Sequence, residues 1–372
     1  MAISVAEYRS EHEPMVRAFN QRLSEAGSHW GFYDTSIPAW LPPGLSPKVR
    51  RDFYLATDET PAVRGAYCLK RQPFLVNGNA LEVASIQGPV SEGLVDQRFG
   101  TVALHLIRDM QGREPKLFAW GASERLLSVL RRMRWTALDT PFAMKVVRGN
   151  RFLRLNRFLR GSRTVRLASD LLAASHLGTL AFGAAQFGQR ILAGGLGGPR
   201  ANAVEASRFG PWADEIWSKV RSNYDFIAAR DSQTMNLLLP QDGWPEASIL
   251  KMEVGGSIVG WAAVRNTQLK DSPRFGDLRI GSVIDALSLP GCEHAVLMSA
   301  TRYLERRGVD AIVANFSNPV WNSAFKRCGF LVSDNRRILL ISPALAEILG
   351  GDQASAKRMH LTPLDGDGPL GL

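Results

Sequence analysis

The sequence has few cysteines, and its N-terminal region has no apolar stretch typical of a secretory signal peptide. Its 372 residues include three cysteines, Cys68, Cys292 and Cys328, too few and too scattered for a disulfide framework or a metal site. Charged residues occupy the N-terminal region where a signal peptide needs an apolar core. These absences predict a protein of a reducing compartment, without a secretory signal and without a bound metal.

Acidic residues are also few relative to basic ones. The chain has 45 Lys and Arg against 35 Asp and Glu, a net charge of +10. Such a surface favours anionic partners: coenzyme phosphates, anionic lipid, nucleic acid or an anionic glycan precursor. Hydrophobic residues make up 45% of the chain and charged residues 22%, so we expect a globular protein, and the length predicts two domains.

A strand, a loop and a helix start lie between Leu81 and Leu104. The alternating run Leu81 to Ile86 predicts a strand, and the residues from Leu104 onward have helical spacing. A glycine at a helix entry lets backbone amides approach a ligand, and the unpaired amides and the helix dipole favour a phosphate there. The predicted phosphate-binding residues are Gln97, Arg98, Phe99, Gly100, Thr101, Val102 and Ala103.

This loop resembles the start of the Q/R-x-x-G-x-G/A pyrophosphate loop of the GNAT (GCN5-related N-acetyltransferase) superfamily. Gln97 and Gly100 match the motif, whereas Val102 stands at the position of its second glycine. The resemblance implies that the loop holds the diphosphate of acetyl-CoA or another acyl-CoA, used as a co-substrate. It also implies transfer of the acyl group to an amine acceptor.

The order of predicted elements resembles the same family. Residues 1–148 predict helix, strands, loop and helix, strand, helix and strand, which is the GNAT order. The order returns over residues 211–345, where residues 311–330 align without a gap on residues 116–135, 195 positions earlier. We therefore expect an α/β (α+β) chain of two tandem GNAT-like domains, each a mixed, mostly antiparallel sheet flanked by helices. The alternative is two unrelated α/β domains.

A basic and apolar segment, residues 149–210, is predicted to join the domains as a helical connector. Arginines recur at every third position from Arg148 to Arg166, and the piece from Arg151 to Arg160 predicts a short amphipathic helix. Residues 171–196 are apolar, but polar side chains interrupt them too often for a membrane-spanning helix. Residues 346–372 are expected to form a flexible tail.

Three environments fit this connector. On an anionic membrane surface, the segment Arg151 to Arg166 would contact the headgroups. A helical pair packed between the domains needs no lipid. Nucleic acid is not expected, apart from tRNA, because no aromatic platforms are interleaved with the arginines. The predicted location is cytoplasmic, either free or peripheral on the inner face of the membrane.

Candidate catalytic and binding residues lie in or after predicted strands. An acyl thioester is already activated, so the protein has to position it and to deprotonate the attacking amine. Asp285, in an apolar run where burial would raise its pKa, and Glu82, its counterpart in the first domain, are the candidate bases. Asn315 and Asn318 are candidate substrate-binding residues, with helix capping as the alternative for Asn318.

The second domain departs from the family pattern. The family's N-x-x-A-x-x-x-Y-x-x-x-G-F stretch supplies a tyrosine as the acid, but Phe325 stands in its place here and Leu130 in the first domain. Glu293 lies at the second domain's helix entry, where a carboxylate repels phosphate. The coenzyme is therefore assigned to the first domain, and the second domain would be a degenerate copy that shapes the acceptor site.

These residues predict an acyl-CoA-dependent N-acyltransferase that modifies an amine of a polar or cell-envelope-related acceptor. Two alternatives stay open. The tandem order also resembles the Fem-type transferases, which take an aminoacyl group from tRNA, and the basic charge would then bind tRNA. The other alternative is a non-catalytic GNAT-derived protein that docks on a membrane surface or serves as a scaffold.

Overall fold

The structure is a computed structural model that describes residues 2–157, 169–170, 172–175, 177–240, 246–350 and 358–369. The strands in these ranges are β1 Ser4–Glu7, β2 Arg50–Thr57, β3 Val63–Val76, β4 Asn79–Ser91, β5 Leu117–Trp120, β6 Thr136–Val146, β7 Asn202–Ala206, β8 Phe226–Ala228, β9 Ser248–Val254, β10 Ser257–Gln268, β11 Arg279–Ser288, β12 Ala311–Ala314, β13 Leu331–Ile341 and β14 Met359–His360. The helices are α1 Glu13–Glu25, α2 Val102–Arg113, α3 Glu124–Arg132, α4 Gly149–Leu155, α5 Leu177–Leu192, α6 Pro211–Val220, α7 Ser232–Leu238, α8 Glu293–Arg306, α9 Pro319–Arg327 and α10 Pro343–Ile348.

These strands form one sheet. Its order is β1-β2-β3-β4-β5-β13-β6-β12-β11-β10-β9-β7, with β8 paired to β3 and to β14. Most neighbours are antiparallel, and each half has a parallel pair inside the main order, β4 with β5 and β11 with β12. The mixed, mostly antiparallel sheet flanked by helices is therefore confirmed.

A helix and the strand that follows it repeat in the two halves at a spacing of 195 residues. The bounds of α9 lie 195 residues after those of α3 (319 minus 124), and the bounds of β13 lie 195 residues after those of β6 (331 minus 136). The ungapped alignment of residues 311–330 on residues 116–135 thus places equivalent helices on each other. The tandem prediction is confirmed, and the alternative of two unrelated domains is wrong.

The halves exchange their last strands, which the sequence did not predict. Strand β13 of the second half lies between β5 and β6 of the first, and β6 lies between β13 and β12. The β6 and β13 strands are antiparallel and pair along their length, from Leu331 opposite Met144 to Ile341 opposite Thr136. Because both strands are hydrogen-bonded into the other half, the sheet is continuous from one half to the other.

The connector between the halves is only partly helical. In α4, Phe152 is buried and Arg154 is exposed, as expected for an amphipathic helix. Arg160, Arg163 and Arg166 lie outside the described residues. Strand β7 pairs with β9 although it falls inside the predicted helical connector, so that part of the prediction is wrong. None of the helices that the structure describes is long and apolar enough to cross a bilayer.

Residues 358–369 pack inside the protein, so the prediction of a flexible tail is wrong for this C-terminal segment. Strand β14 pairs with β8, and Leu361 and Leu364 are buried in apolar clusters. Asp365, which in the sequence is typical of a solvated tail, is 1% exposed because it pairs with the buried Arg230. Arg230 Nη2 lies 2.7 Å from Asp365 Oδ2 and 2.8 Å from Asp285 Oδ1.

We expect Arg230→Ala to lower the free energy of unfolding by about 3–5 kcal/mol, because it leaves Asp285 and Asp365 buried without a counter-charge. Urea unfolding at neutral pH measures this loss. Arg9→Ala is the control, because the Arg9–Glu7 pair is about two-thirds exposed on both sides and such pairs contribute about 0–1 kcal/mol. Equal losses in the two variants would contradict a structural role for the buried cluster.

Candidate active site

Strands β4 and β5 separate after three residue pairs. Their parallel ladder ends at Ile86 opposite Ala119. Strand β4 nevertheless continues to Ser91 and stays paired with β3 to its end. One edge of β4, from Gln87 to Ser91, is thus not paired with β5, and we call this separation the first splay. An unpaired strand edge presents backbone N–H and C=O groups to an extended ligand.

A β-bulge bends β4 at the first splay. Ala66 pairs with Val90 and Cys68 pairs with Gln87, so two residues of β4, Gly88 and Pro89, face a single residue of β3. Gly88 has a φ of +53°, in the left-handed region that favours glycine. Both bulge residues are exposed, whereas Gln87, Val90 and Ser91 are buried, so the first splay opens to solvent at the bulge.

The predicted phosphate loop lies at the start of α2. A 3-10 turn, Gln97–Phe99, is capped by the Asp96 carboxylate, which accepts from the Arg98 amide at 3.0 Å. Gly93 fits tightly beneath this turn, since a Cβ there would lie 2.7 Å from the Phe99 carbonyl oxygen. Helix α2 then begins at Val102, and the first amides of an α-helix have no acceptor within it. The Arg98 amide donates to Asp96, the Gly100 amide to the Gln97 carbonyl and the Leu104 amide to the Thr101 carbonyl, so the loop leaves the amides of Val102 and Ala103 for an anion.

Val102 belongs to the core and not to the ligand face of the loop. Its side chain is fully buried in the apolar cluster beneath α2. Gly65 on β3 provides the space, because a Cβ there would lie 2.9 Å from Val102 Cγ1 and 3.0 Å from Leu106 Cδ1. A valine in place of the motif's second glycine therefore leaves the loop surface unobstructed.

The second half has the same splay, but the protein's own chain fills it. The β11–β12 ladder ends at Val283 opposite Ala314, while β11 continues to Ser288. There the Leu364 amide donates to the Ile284 carbonyl (3.3 Å), and His360 Nε2 donates to the Ala286 carbonyl (2.9 Å). Burial lowers the pKa of His360 to about 3, which keeps this ring neutral.

The helix entry of the second half carries a carboxylate, as the sequence indicated. Glu293 is the first residue of α8 and lies in its first turn. Burial raises the pKa of Glu293, although hydrogen bonds to backbone amides of the same turn oppose that shift. Those amides are therefore already used by a protein side chain, whereas the exposed Thr101 before α2 makes no side-chain cap.

The two predicted bases each have a cationic partner away from the first splay. Asp285 is fully buried and accepts from Arg230 and from Trp261 Nε1 (3.2 Å). Glu82 makes a bidentate pair with Arg50 at 2.7 and 2.8 Å, and it lies before the segment of β4 that pairs with β5. We therefore propose structural roles for both carboxylates.

The two predicted substrate-binding asparagines hold parts of the chain together. Asn318 Oδ1 accepts from the Val320 amide and Nδ2 donates to the Met359 carbonyl, each at 2.9 Å. Asn318 is thus the cap of α9, which was the alternative, and it also binds the C-terminal segment. Asn315 Nδ2 donates to the Pro141 carbonyl at 2.5 Å. Both side chains are buried and lie in the second half.

Sequence reasoning missed a buried polar strip beside the first splay. Lys70, Ser85 and Gln87 lie on one face of β3 and β4 and are at most 3% exposed. Lys70 Nζ donates to the Leu364 carbonyl (2.5 Å) and Gln87 Nε2 donates to the Gly366 carbonyl (2.7 Å). Burial lowers the pKa of Lys70 to about 7. The signal was the run Lys70-Arg71-Gln72 inside a strand that is otherwise apolar.

The cysteines supply no reactive thiolate to this strip. All three are free, and burial raises the pKa of Cys68 to about 11 and that of Cys328 to about 12, so both thiols are protonated at neutral pH. In the described ranges no three His, Cys, Asp or Glu side chains are grouped to hold a metal ion.

Comparisons with known proteins identify the fold. No protein-family model matches the sequence, and the comparison with curated proteins found no match. A crystal structure of Saccharomyces cerevisiae N-myristoyltransferase with bound myristoyl-CoA and inhibitors aligns with a TM-score of 0.55 and 11% identity, over 91% of this chain and 79% of that one. Another, with bound myristoyl-CoA, aligns with a TM-score of 0.53 and 10% identity, over 92% and 79%. The fold is GNAT-like. Its tandem halves agree with the order read from the sequence.

A more distant structural match is the GCN5-related glucosamine N-acetyltransferase region of a fungal multi-domain GH3 β-N-acetylglucosaminidase. It has a TM-score of 0.48 and 11% identity, over 91% of this chain and 38% of that chain. Identities this low show the fold alone, so the site is argued from its own residues.

We expect Gly65→Ala to destabilise the protein by about 1–3 kcal/mol through overpacking against Val102. Combining it with Val102→Ala, which removes the contacting methyl groups, should cost less than the sum of the two single changes. A double-mutant cycle by chemical unfolding measures this coupling. Strictly additive losses of unfolding free energy would contradict a steric contact between the side chains at positions 65 and 102.

We expect Lys70→Met to remove part of the pH dependence of stability. The folded-state pKa of Lys70, about 7, lies below its ordinary value of 10.5. Between these values the unfolded chain binds more protons, so the Lys70 contribution makes the wild type more stable as pH rises. The difference in unfolding free energy, wild type minus Lys70→Met, should rise from pH 7 to pH 10. A flat difference, or the same rise with the exposed Lys219→Met, would contradict the assignment.

Proposed function

We propose that this protein is an acyl-CoA-dependent N-acyltransferase that binds its acyl donor at the first splay. The observation that carries the proposal is the asymmetry between the halves. In the first half the splay opens to solvent at Gly88 and Pro89, while in the second half residues 360–364 fill the equivalent edge. Structures of N-myristoyltransferase with bound myristoyl-CoA share this fold, which supports an acyl-CoA as the donor.

The first splay provides the groups that such a donor needs. The edge of β4 from Gln87 to Ser91 would hydrogen-bond the extended arm of the coenzyme, and the loop from Gln97 to Ala103 would bind its diphosphate. Holding the thioester next to an amine converts the transfer into an effectively intramolecular reaction, and this positioning is the main contribution of the protein.

The transfer itself balances without a protein acid. The neutral amine attacks the thioester carbonyl, a C–N bond forms, the C–S bond breaks, and the proton that the nitrogen loses passes to water. Leu130 and Phe325 stand at the positions of the family's tyrosine, and both are buried and apolar. We therefore propose that the coenzyme thiolate leaves without a tyrosine donor and takes its proton from water.

The acceptor is proposed to be an amine on a polar or cell-envelope-related molecule. The second half would shape that acceptor's site, since its own splay is filled. The proposed location is cytoplasmic.

We expect Thr101→Glu to weaken acyl-CoA binding by at least about tenfold, because it places a carboxylate at the phosphate site as Glu293 does in the second half. Thr101 is exposed and makes no cap hydrogen bond, so folding should be unaffected. An acidic residue at a helix start even stabilises a helix by about 0.3–1 kcal/mol. Calorimetric titration with acetyl-CoA and myristoyl-CoA measures the affinity.

Two controls accompany this titration. Thr101→Gln has the same size without the charge and should bind as the wild type does. Glu293→Gln should leave binding unchanged, because the second half is not the donor site. No heat with either acyl-CoA would overturn the proposal, and retention of labelled aminoacyl-tRNA in its place would favour the Fem-type alternative.

A further inference from the structure

Helix α5 exposes its apolar side to solvent and turns its polar side to the protein, the reverse of an ordinary surface helix. Leu180, Ala184, Phe187 and Ile191 fall within about 60° of arc at 100° per residue and are all exposed, with Leu180 at 67% and Phe187 at 55%. The polar Gln186 lies on the opposite side, buried, with Nε2 donating to the Val146 carbonyl at 3.0 Å. The apolar stripe therefore faces solvent, and the polar side faces the protein.

Packing fixes this orientation. Glycines on the inner side let α5 approach its neighbours: a Cβ on Gly178 would lie 2.2 Å from Leu153 Cδ1 of α4. Gly329, just after α9, packs against the backbone of Gln186: a Cβ on Gly329 would lie 3.1 Å from the Gln186 carbonyl oxygen. Phe182 meets Phe152 of α4 edge to face at 5.7 Å between ring centroids. Gly178 on α5 and Gly329 after α9 allow this close packing. The side of α5 that faces the protein is therefore fixed, and the apolar stripe stays on the solvent side.

The stretch of sequence that contains the stripe is strongly basic. Between Asp139 and Glu205 the sequence has ten Lys and Arg residues and one acidic residue, Asp170, a net of +9 in a chain whose total is +10. Arg151, Arg154 and Arg157, on and after α4, are exposed. Arg151 pairs with Asp310 and Arg157 with Asp271, so Arg154 is the best-placed arginine for a charge test.

We propose that α5 docks this protein on an anionic lipid bilayer, with its apolar stripe at the boundary between headgroups and acyl chains and the neighbouring arginines on the headgroups. An exposed apolar stripe within a strongly basic stretch of sequence is the pattern of helices that lie in the membrane interface. A second copy of this chain is the less favourable occupant, because two such basic surfaces would repel each other. This inference does not depend on acyl transfer.

Flotation of the full-length protein with lipid vesicles tests the proposal. Vesicles of phosphatidylcholine with about 30% phosphatidylglycerol should bind the wild type, pure phosphatidylcholine should bind it weakly, and added salt should reduce the difference. Phe187→Glu combined with Ile191→Glu should lower the vesicle-bound fraction by about tenfold or more. Arg154→Gln should lower it by less and only on the anionic vesicles.

The charge-matched control is Ile37→Glu combined with Leu45→Glu, two apolar residues that are 67% and 53% exposed and lie in the loop before β2. It should float as the wild type does, and circular dichroism should confirm that all variants are folded. Equal flotation of the α5 double variant and this loop double variant would overturn the proposal. If the wild type does not bind anionic vesicles but forms a dimer, and the α5 double variant abolishes that dimer, the membrane proposal is overturned. The occupant of the stripe would then be a second copy of the chain.

Discussion

The buried ion cluster of Arg230, Asp285 and Asp365 is the interaction on which the asymmetry of this protein depends. One guanidinium joins a strand of the second half to the C-terminal segment, with both carboxylates within 2.8 Å of the same nitrogen. These buried charges are tolerable because one guanidinium pairs with both carboxylates and because Thr362 and Trp261 donate further hydrogen bonds to Asp285. With the segment held there, the splay of the second half is filled.

The same segment also borders the first half. Leu364 accepts from Lys70 and Gly366 accepts from Gln87, so one stretch of chain closes one splay and flanks the other. The exchange of β6 and β13 couples the two halves further, because each strand is hydrogen-bonded into the other half. The C-terminal segment is therefore in direct contact with both halves.

The candidate site shows how a departure from a motif is accommodated. Val102 looked like the loss of a ligand-binding glycine, but its side chain occupies the space left by Gly65 on the neighbouring strand. A side chain that points into the core leaves the backbone amide at that position as unobstructed as glycine would. Asp285 shows the opposite case. Burial in an apolar run was read as tuning for proton transfer, whereas the structure gives the carboxylate a buried guanidinium, a partner 55 residues earlier in the chain.

The sequence by itself determined most of the local elements, the tandem repeat and the helix start at which the candidate phosphate loop lies. Hydrophobic periodicity and turn residues act over a few positions, and the repeat spacing of 195 is recorded directly in the order of residues. Only the tertiary structure decided the exchange of β6 and β13, the burial of residues 358–369 and the outward direction of the apolar face of α5. The physical reason is that each of these depends on which distant partner satisfies a group: the edge of a strand, the carboxylate of Asp365, or the amide of Gln186. A one-dimensional pattern specifies that such a group needs a partner but not which one it finds.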